Sequence, residues 1–232
     1  MYEPIPDLAY FRLLVADPAE IPLLEAAASL GVDAYPDLDI QATLSRVDGL
    51  AGRLAERCRG SSTEIARLEC ASRFFFGELG FAGNLVNYYA ADHSYLHRVL
   101  DTRRGIPITL ALLYTELARH VGLDVDGIAF PGHFLVRVNL REGVVILDPF
   151  TGQSLDREEL AQRAAPHGTS LPWLLRPASS RQILMRMLSN LRAIHLQDER
   201  ADLLAKVEQR LHILEGDDEP PRPDRPRPSE RG

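Results

Sequence analysis

The chain has 232 residues, 45% of them hydrophobic and 25% charged, with a net charge of −7. That is ample length to bury a core and an ordinary globular composition. The acidic balance without a basic stripe argues against a nucleic-acid surface, and no apolar run approaches the roughly 20 residues of a membrane span.

Met1-Tyr2-Glu3-Pro4 lacks the basic-then-apolar order of a signal peptide. Cys58 and Cys70, by number and placement, suggest neither a disulfide framework nor zinc spacing, which suits a reducing cytosol. The expectation is a soluble cytoplasmic protein.

From Leu8 to about Gly80 the pattern is helical. Leu44, Val47, Leu50 and Leu54 recur at spacings of three and four with charges between them. Ser61-Ser62-Thr63 offers N-caps for a following helix that buries Ile65, Leu68, Phe75 and Leu79 and stops at Gly80. Phe74-Phe75-Phe76 reads as core. Gly83-Asn84 and Asn87-Tyr88-Tyr89 read as a loop whose side chains either line a cleft or pin its backbone. A short helix follows over 94–101. His93 and His97 have zinc-ligand spacing but no third ligand nearby, so no metal is expected.

The stretch 106–121 is apolar nearly all round in its first turns, which makes it a central helix with no solvent face there. Gly122 closes it, and strand patterns follow over 125–130, 133–140 and 144–147. The segments 181–197 and 199–214 read as an antiparallel helix pair turning at Asp198. Residues 217–232 are proline-rich and charged with no apolar period, which predicts disorder.

Two of these strands carry the candidate chemistry. Alternation puts His133, Leu135 and Arg137 on one face, and Val144, Ile146 and Asp148 on one face of the next strand. If Arg141-Glu142 is a two-residue hairpin loop, Leu140 faces Gly143 and Leu135 faces Asp148. His133 then sits one diagonal step from Asp148, roughly 7–8 Å between Cα atoms, within reach of a hydrogen bond. A loop with an odd number of residues would separate them. A carboxylate beside an imidazole fixes its tautomer, as in nucleophile triads. The nucleophile of such a triad often stands at a helix N-terminus, and here Pro107 takes that place.

Gly105-Ile106-Pro107-Ile108-Thr109-Leu110-Ala111, Pro131-Gly132-His133-Phe134 and Leu147-Asp148-Pro149-Phe150 resemble the bacterial SirB family of the transglutaminase-like superfamily. Gly80-Phe81-Ala82-Gly83-Asn84 and Ser94-Tyr95-Leu96 add to the resemblance, with His93 where that family usually has Asn. The resemblance covers about residues 60–215. It implies an α+β fold: a helical N-terminal layer, a transglutaminase-like core with its central helix on a small antiparallel sheet, and a C-terminal helix pair. The corresponding divisions are residues 1–91, 92–178, 179–215 (a tetratricopeptide-like pair) and the tail 216–232.

Matched residue by residue, Pro107 occupies the place of the catalytic cysteine, and His133 and Asp148 the other two places of the triad. The expectation is a catalytically inactive, transglutaminase-like protein that acts in binding or regulation. A protein or peptide partner is expected, with no cofactor, nucleic acid or membrane; the ligand is unknown. The rival is an amidase, protease or acyl transferase in which His133 and Asp148 act with an unidentified nucleophile or an activated water. Thr109 and Cys70 are the weaker nucleophile candidates, read as a self-bonded helix hydroxyl and a small core residue. Arg103-Arg104 could hold an anion, but a solvated helix end or a salt bridge to the N-terminal layer is the preferred reading.

Overall fold

The computed structural model describes residues 7–84 and 90–216. The Asn87-Tyr88-Tyr89 run and the proline-rich segment 217–232 lie outside the described residues. The fold is α+β, as the sequence predicts.

Helices α1 (Asp7–Leu14), α2 (Leu23–Ser29), α3 (Ile40–Cys58) and α4 (Glu64–Ser72) form the N-terminal layer. Asp39 caps α3 by accepting from the Ala42 amide, and Thr63 caps α4 through the Ala66 amide. The stripe read from spacing buries Val47, Leu50 and Leu54. Beyond Ser72 the chain departs from the single helix expected up to Gly80. A π-helical turn at Arg73–Glu78 widens the coil and turns both Phe74 and Phe75 inward. Phe75 stacks on Phe81 and meets Tyr114 edge-on, which offsets the poorer geometry of that turn. Ile65, expected in the core, is 45% exposed. It lies in the first turn of α4 and borders a surface groove with Leu140 and Arg141, beyond the reach of the core.

The cysteines correct a second expectation. Cys58 at the end of α3 and Cys70 in α4 are joined as a disulfide, their Cα atoms 5.9 Å apart. Helical phase alone cannot show this, because the pairing depends on how two helices fold back across the Arg59–Thr63 turn. The bridge closes a loop of sequence separation 12. A Cys58→Ser/Cys70→Ser protein should lose about 2–4 kcal/mol in urea unfolding, and dithiothreitol should weaken only the wild type. Equal stability in both proteins would mean the bond contributes nothing.

Helix α5 (Leu96–Thr102) ends on Arg103 in left-handed conformation, φ +58. Two short strands, β1 (Ala82–Gly83) and β2 (Arg104–Gly105), pair in parallel. They lead into α6 (Pro107–His120), which is buried from Pro107 through Thr115. Neighbours on all sides explain the absence of a polar face: α6 packs against α3, α4, α5, β3 (Asp124–Ile128) and β4 (Leu135–Leu140). A four-stranded antiparallel sheet follows in the order β3-β4-β5-β6, completed by β5 (Gly143–Asp148) and β6 (Gln153–Leu155). The edge strand β6 went unrecognised in the sequence because three residues carry no alternation to read. Helices α7 (Arg157–Ala164) and α8 (Leu171–Leu174) cover part of the sheet's outer face, and α9 (Ser180–Gln197) and α10 (Ala201–Glu215) form the C-terminal pair.

One core runs from Phe11 in α1 through Leu110 and Tyr114 in α6 to Leu191 and Leu214 in the last pair. A smaller cluster of Ile128, Phe130, Leu135, Ile146, Leu160, Ala164 and Leu174 lies under α7 and α8. Among the described residues no helix is long and apolar enough to cross a membrane.

Between the N-terminal layer and α9 lie two buried histidines. His97 packs edge-on to Tyr35 with neither ring nitrogen hydrogen-bonded, and His195 Nε2 is 3.1 Å from the Tyr95 hydroxyl. Burial holds both imidazoles below the usual histidine pKa. Around His97 the carboxylates Asp101 and Asp92 oppose Arg98 and Arg46; around His195, Asp198, Asp202 and Asp33 oppose Arg200. The folded state therefore binds fewer protons than the unfolded chain as pH falls. This stability is complete above the ordinary value of 6.5 and declines below it. The urea midpoint should fall between pH 7.5 and pH 5; an unchanged midpoint would contradict the assignment.

Candidate functional site

The β4–β5 register pairs Leu140 with Gly143, Arg137 with Ile146 and Val136 with Leu147. The loop is therefore the even, two-residue Arg141-Glu142, and its parity brings His133 and Asp148 to the same face. His133 itself precedes β4, in a turn where Gly132 has φ +70 and the His133 amide donates to the Phe130 carbonyl. Gly132 is needed there because side-chain-bearing residues rarely adopt that conformation.

His133 Nε2 lies 2.9 Å from Asp148 Oδ1. The Phe150 amide donates to the same oxygen at 2.9 Å, and Arg163 Nη1 approaches Oδ2 at 3.6 Å. Burial by itself would raise the Asp148 pKa, but the bond and charge of His133, the Phe150 amide and Arg163 together hold it below the usual carboxylate range. A carboxylate can only accept, so His133 carries its proton on Nε2. Nδ1 is then the basic nitrogen, and it has no hydrogen-bond partner among the described residues. The His133 side chain is 22% exposed, against 4% for Asp148. Chemically this is an oriented base at the edge of solvent, with its tautomer set by a buried anion.

Phe150 ties the pair to the rest of the core. Its ring centroid is 6.4 Å from that of His133, its carbonyl accepts from the Gly83 amide, and its ring lies directly over Gly83. Gly83 pairs with Gly105, just ahead of Pro107 at the first position of α6. The Pro107 ring has no amide hydrogen and no nucleophilic atom. Thr109, the nearest hydroxyl in sequence, donates to the carbonyls of His93 (2.8 Å) and Ile106 (3.0 Å). Cys70 is consumed in the disulfide, and no free cysteine is present.

His93 and His97 do not converge. His93 Nε2 meets the Asn84 amide at 3.2 Å, whereas His97 lies between Tyr35 and Tyr95. Of the two preferred readings of Arg103-Arg104, a salt bridge to the N-terminal layer is not found among the described residues, and Arg104 is exposed at the helix end. The Arg103 guanidinium covers Phe81, and Arg104 donates to the carbonyls of Gly80 and Arg103, stitching β2 to the preceding turn. Sequence reasoning missed Phe150, Gly83 and Arg163 as parts of the site. The reciprocal cap of Asp156 and Glu159 was a readable signal for α7, the helix that carries Arg163.

A His–Asp pair spanning adjacent strands, with a buried helix behind it, is the arrangement of a transglutaminase-like core. Residues 41–189 match the family model of the transglutaminase-like superfamily, and the chain belongs to that superfamily. It is 37% identical over 212 residues to a UPF0162 protein of Xylella fastidiosa (strain Temecula1), a match covering 86% of this chain and 74% of that one. A UPF0162 protein of Vibrio cholerae is 32% identical over 145 residues, covering 60% and 54% of the two chains. Human F-box only protein 21 is 32% identical over 148 residues, 57% of this chain and 23% of that much longer one. No solved structure matches the chain significantly.

Proposed function

We propose that this chain is a SirB-type transglutaminase-like protein that does not turn over substrate and acts as a binding or regulatory module. The observation that carries the reading is Pro107 at the first position of α6, together with the absence of any free thiol. The pair is retained because Asp148 joins β5, the Phe150 turn and α7, so removing it would leave buried polar groups unpaired. Human F-box only protein 21 carries a similar stretch in less than a quarter of its length, which suits a module that can be built into a longer chain. The cytoplasmic placement expected from the sequence rested partly on unpaired cysteines, and the Cys58–Cys70 bridge removes that support.

The rival reading, water activated by His133 Nδ1, draws on the partial exposure of the ring. One experiment separates them. Purified protein should release no ammonia from glutamine-containing peptides and cleave none, and His133→Ala should change nothing. Ammonia release or peptide cleavage by the wild type, abolished in His133→Ala, would overturn the proposal.

A further inference from the structure

The sheet has two faces with different fates. Its inner face packs on α6, whereas α7 and α8 cover the outer face incompletely. What remains is an open groove of about 440 Å³ over Val144, Ile146 and Leu155, walled by Leu160 of α7 and by Leu171 and Leu175 around α8. Val144 is 51% exposed there, at the hairpin end of β5 where β6 no longer pairs with it. On the far side of α8 stands Trp173, the only tryptophan in the chain, 57% exposed with the Arg176 guanidinium 5.1 Å above its ring.

Charge decides what fits. The groove is bordered by Arg137 and Arg157 and by no carboxylate. Among the described residues Arg157 and Arg176 have no acidic partner, and Arg176 covers Trp173; Arg137 stands opposite Asp126 on β3 and is linked to it through Asn139. The acids nearest Arg157 in sequence are already engaged: Asp156 and Glu159 cap α7 reciprocally, and Glu158 accepts from Gln162. In a chain of net charge −7, Arg157 and Arg176 therefore lie beside exposed Trp and Val without an ion-pair partner among the described residues. Exposed tryptophan and arginine are also the residues that most often anchor protein interfaces.

We propose that this outer face, from Val144 across α8 to Trp173, docks a peptide segment of a partner protein in which carboxylates alternate with apolar side chains. The apolar side chains fill the groove over Ile146 and Leu155, and the carboxylates meet Arg157 and Arg176 as charge-assisted hydrogen bonds. The inference deepens the reading above and rests on it only for the expectation of a macromolecular partner. Because α7 also carries Arg163 against Asp148, an occupant of this face would touch the helix that supports the His133–Asp148 pair.

The test uses the full chain, with its disulfide intact, against a phage-displayed library of random linear peptides. Selection should converge on sequences that combine Asp or Glu with Leu, Ile or Phe. A fluorescein-labelled copy of the consensus should bind by anisotropy, weaken with added salt, and lose about tenfold or more in affinity in Trp173→Ala and in Arg157→Glu. Both positions are exposed, so circular dichroism should confirm an unchanged fold. Selection without an acidic–apolar consensus, or affinity unchanged in both variants, would overturn the proposal. Sedimentation showing a dimer that Trp173→Ala dissolves would also overturn it, giving the face to a second copy of the chain. Unchanged affinity in these variants would leave the silent-dyad reading intact, whereas His133-dependent ammonia release would leave the docking face intact.

Discussion

Replacing Arg210 by Ala should destabilise the protein by about 3–5 kcal/mol, the usual cost of leaving a buried charge without its partner. Arg210 in α10 is 1% exposed and meets Asp33, 9% exposed, through two bonds of 2.8 and 3.0 Å. Its guanidinium also lies 5.0 Å over the Phe11 ring. One side chain thus fastens the last helix to α1 and to the loop after α2, elements at opposite ends of the sequence. After truncation the largely buried Asp33 carboxylate would lose the guanidinium that meets both of its oxygens. Pairing Arg210→Met with Asp33→Leu should recover most of the loss, because neither charge then remains. Urea unfolding followed by circular dichroism measures both; a loss under about 1 kcal/mol for Arg210→Ala would mean that water reaches the pair.

Gly83→Ala should destabilise the protein as well, and its effect should reach the candidate site. A Cβ on Gly83 would lie within van der Waals overlap of the Phe150 ring. The ring cannot swing away cheaply, because the Gly83 amide donates to the Phe150 carbonyl and the Phe150 amide donates to Asp148 Oδ1. Overpacking of this kind costs about 1–3 kcal/mol where the neighbours can yield, and more where they cannot. Any shift of Phe150 moves the carboxylate that sets the His133 tautomer. The expected result is a lower urea midpoint together with an altered His133 ring signal in nuclear magnetic resonance. A variant with wild-type stability and an unchanged His133 signal would show that Phe150 is free to move.

Local rules carried much of the fold. Spacing of Val47, Leu50 and Leu54 identified α3, Ser61-Ser62-Thr63 marked the start of α4, and a helix without a polar face identified α6 as central. The His133–Asp148 contact was legible for the same reason: strand alternation plus the parity of a two-residue turn decides which side chains share a face. Strand β6 and the π-helical turn at Arg73–Glu78 were not, since neither has a period long enough to register. Ile65 had the right spacing for a core residue, but spacing does not say where the neighbouring elements end.

By itself, then, the sequence determined the succession of the long helices and of β3 to β5, the central place of α6, the pairing of His133 with Asp148, and the proline at the head of the helix. Each follows from contacts within a few residues or across one tight turn, where covalent geometry leaves little choice. Only the tertiary structure decided that Cys58 meets Cys70, that Phe150 rests on Gly83, that Arg163 approaches Asp148, and that Arg210 closes on Asp33 across 177 residues of chain. It also left Trp173 and Val144 uncovered on the outer face of the sheet. Such contacts depend on how packed layers come to rest against one another, which no short-range pattern encodes.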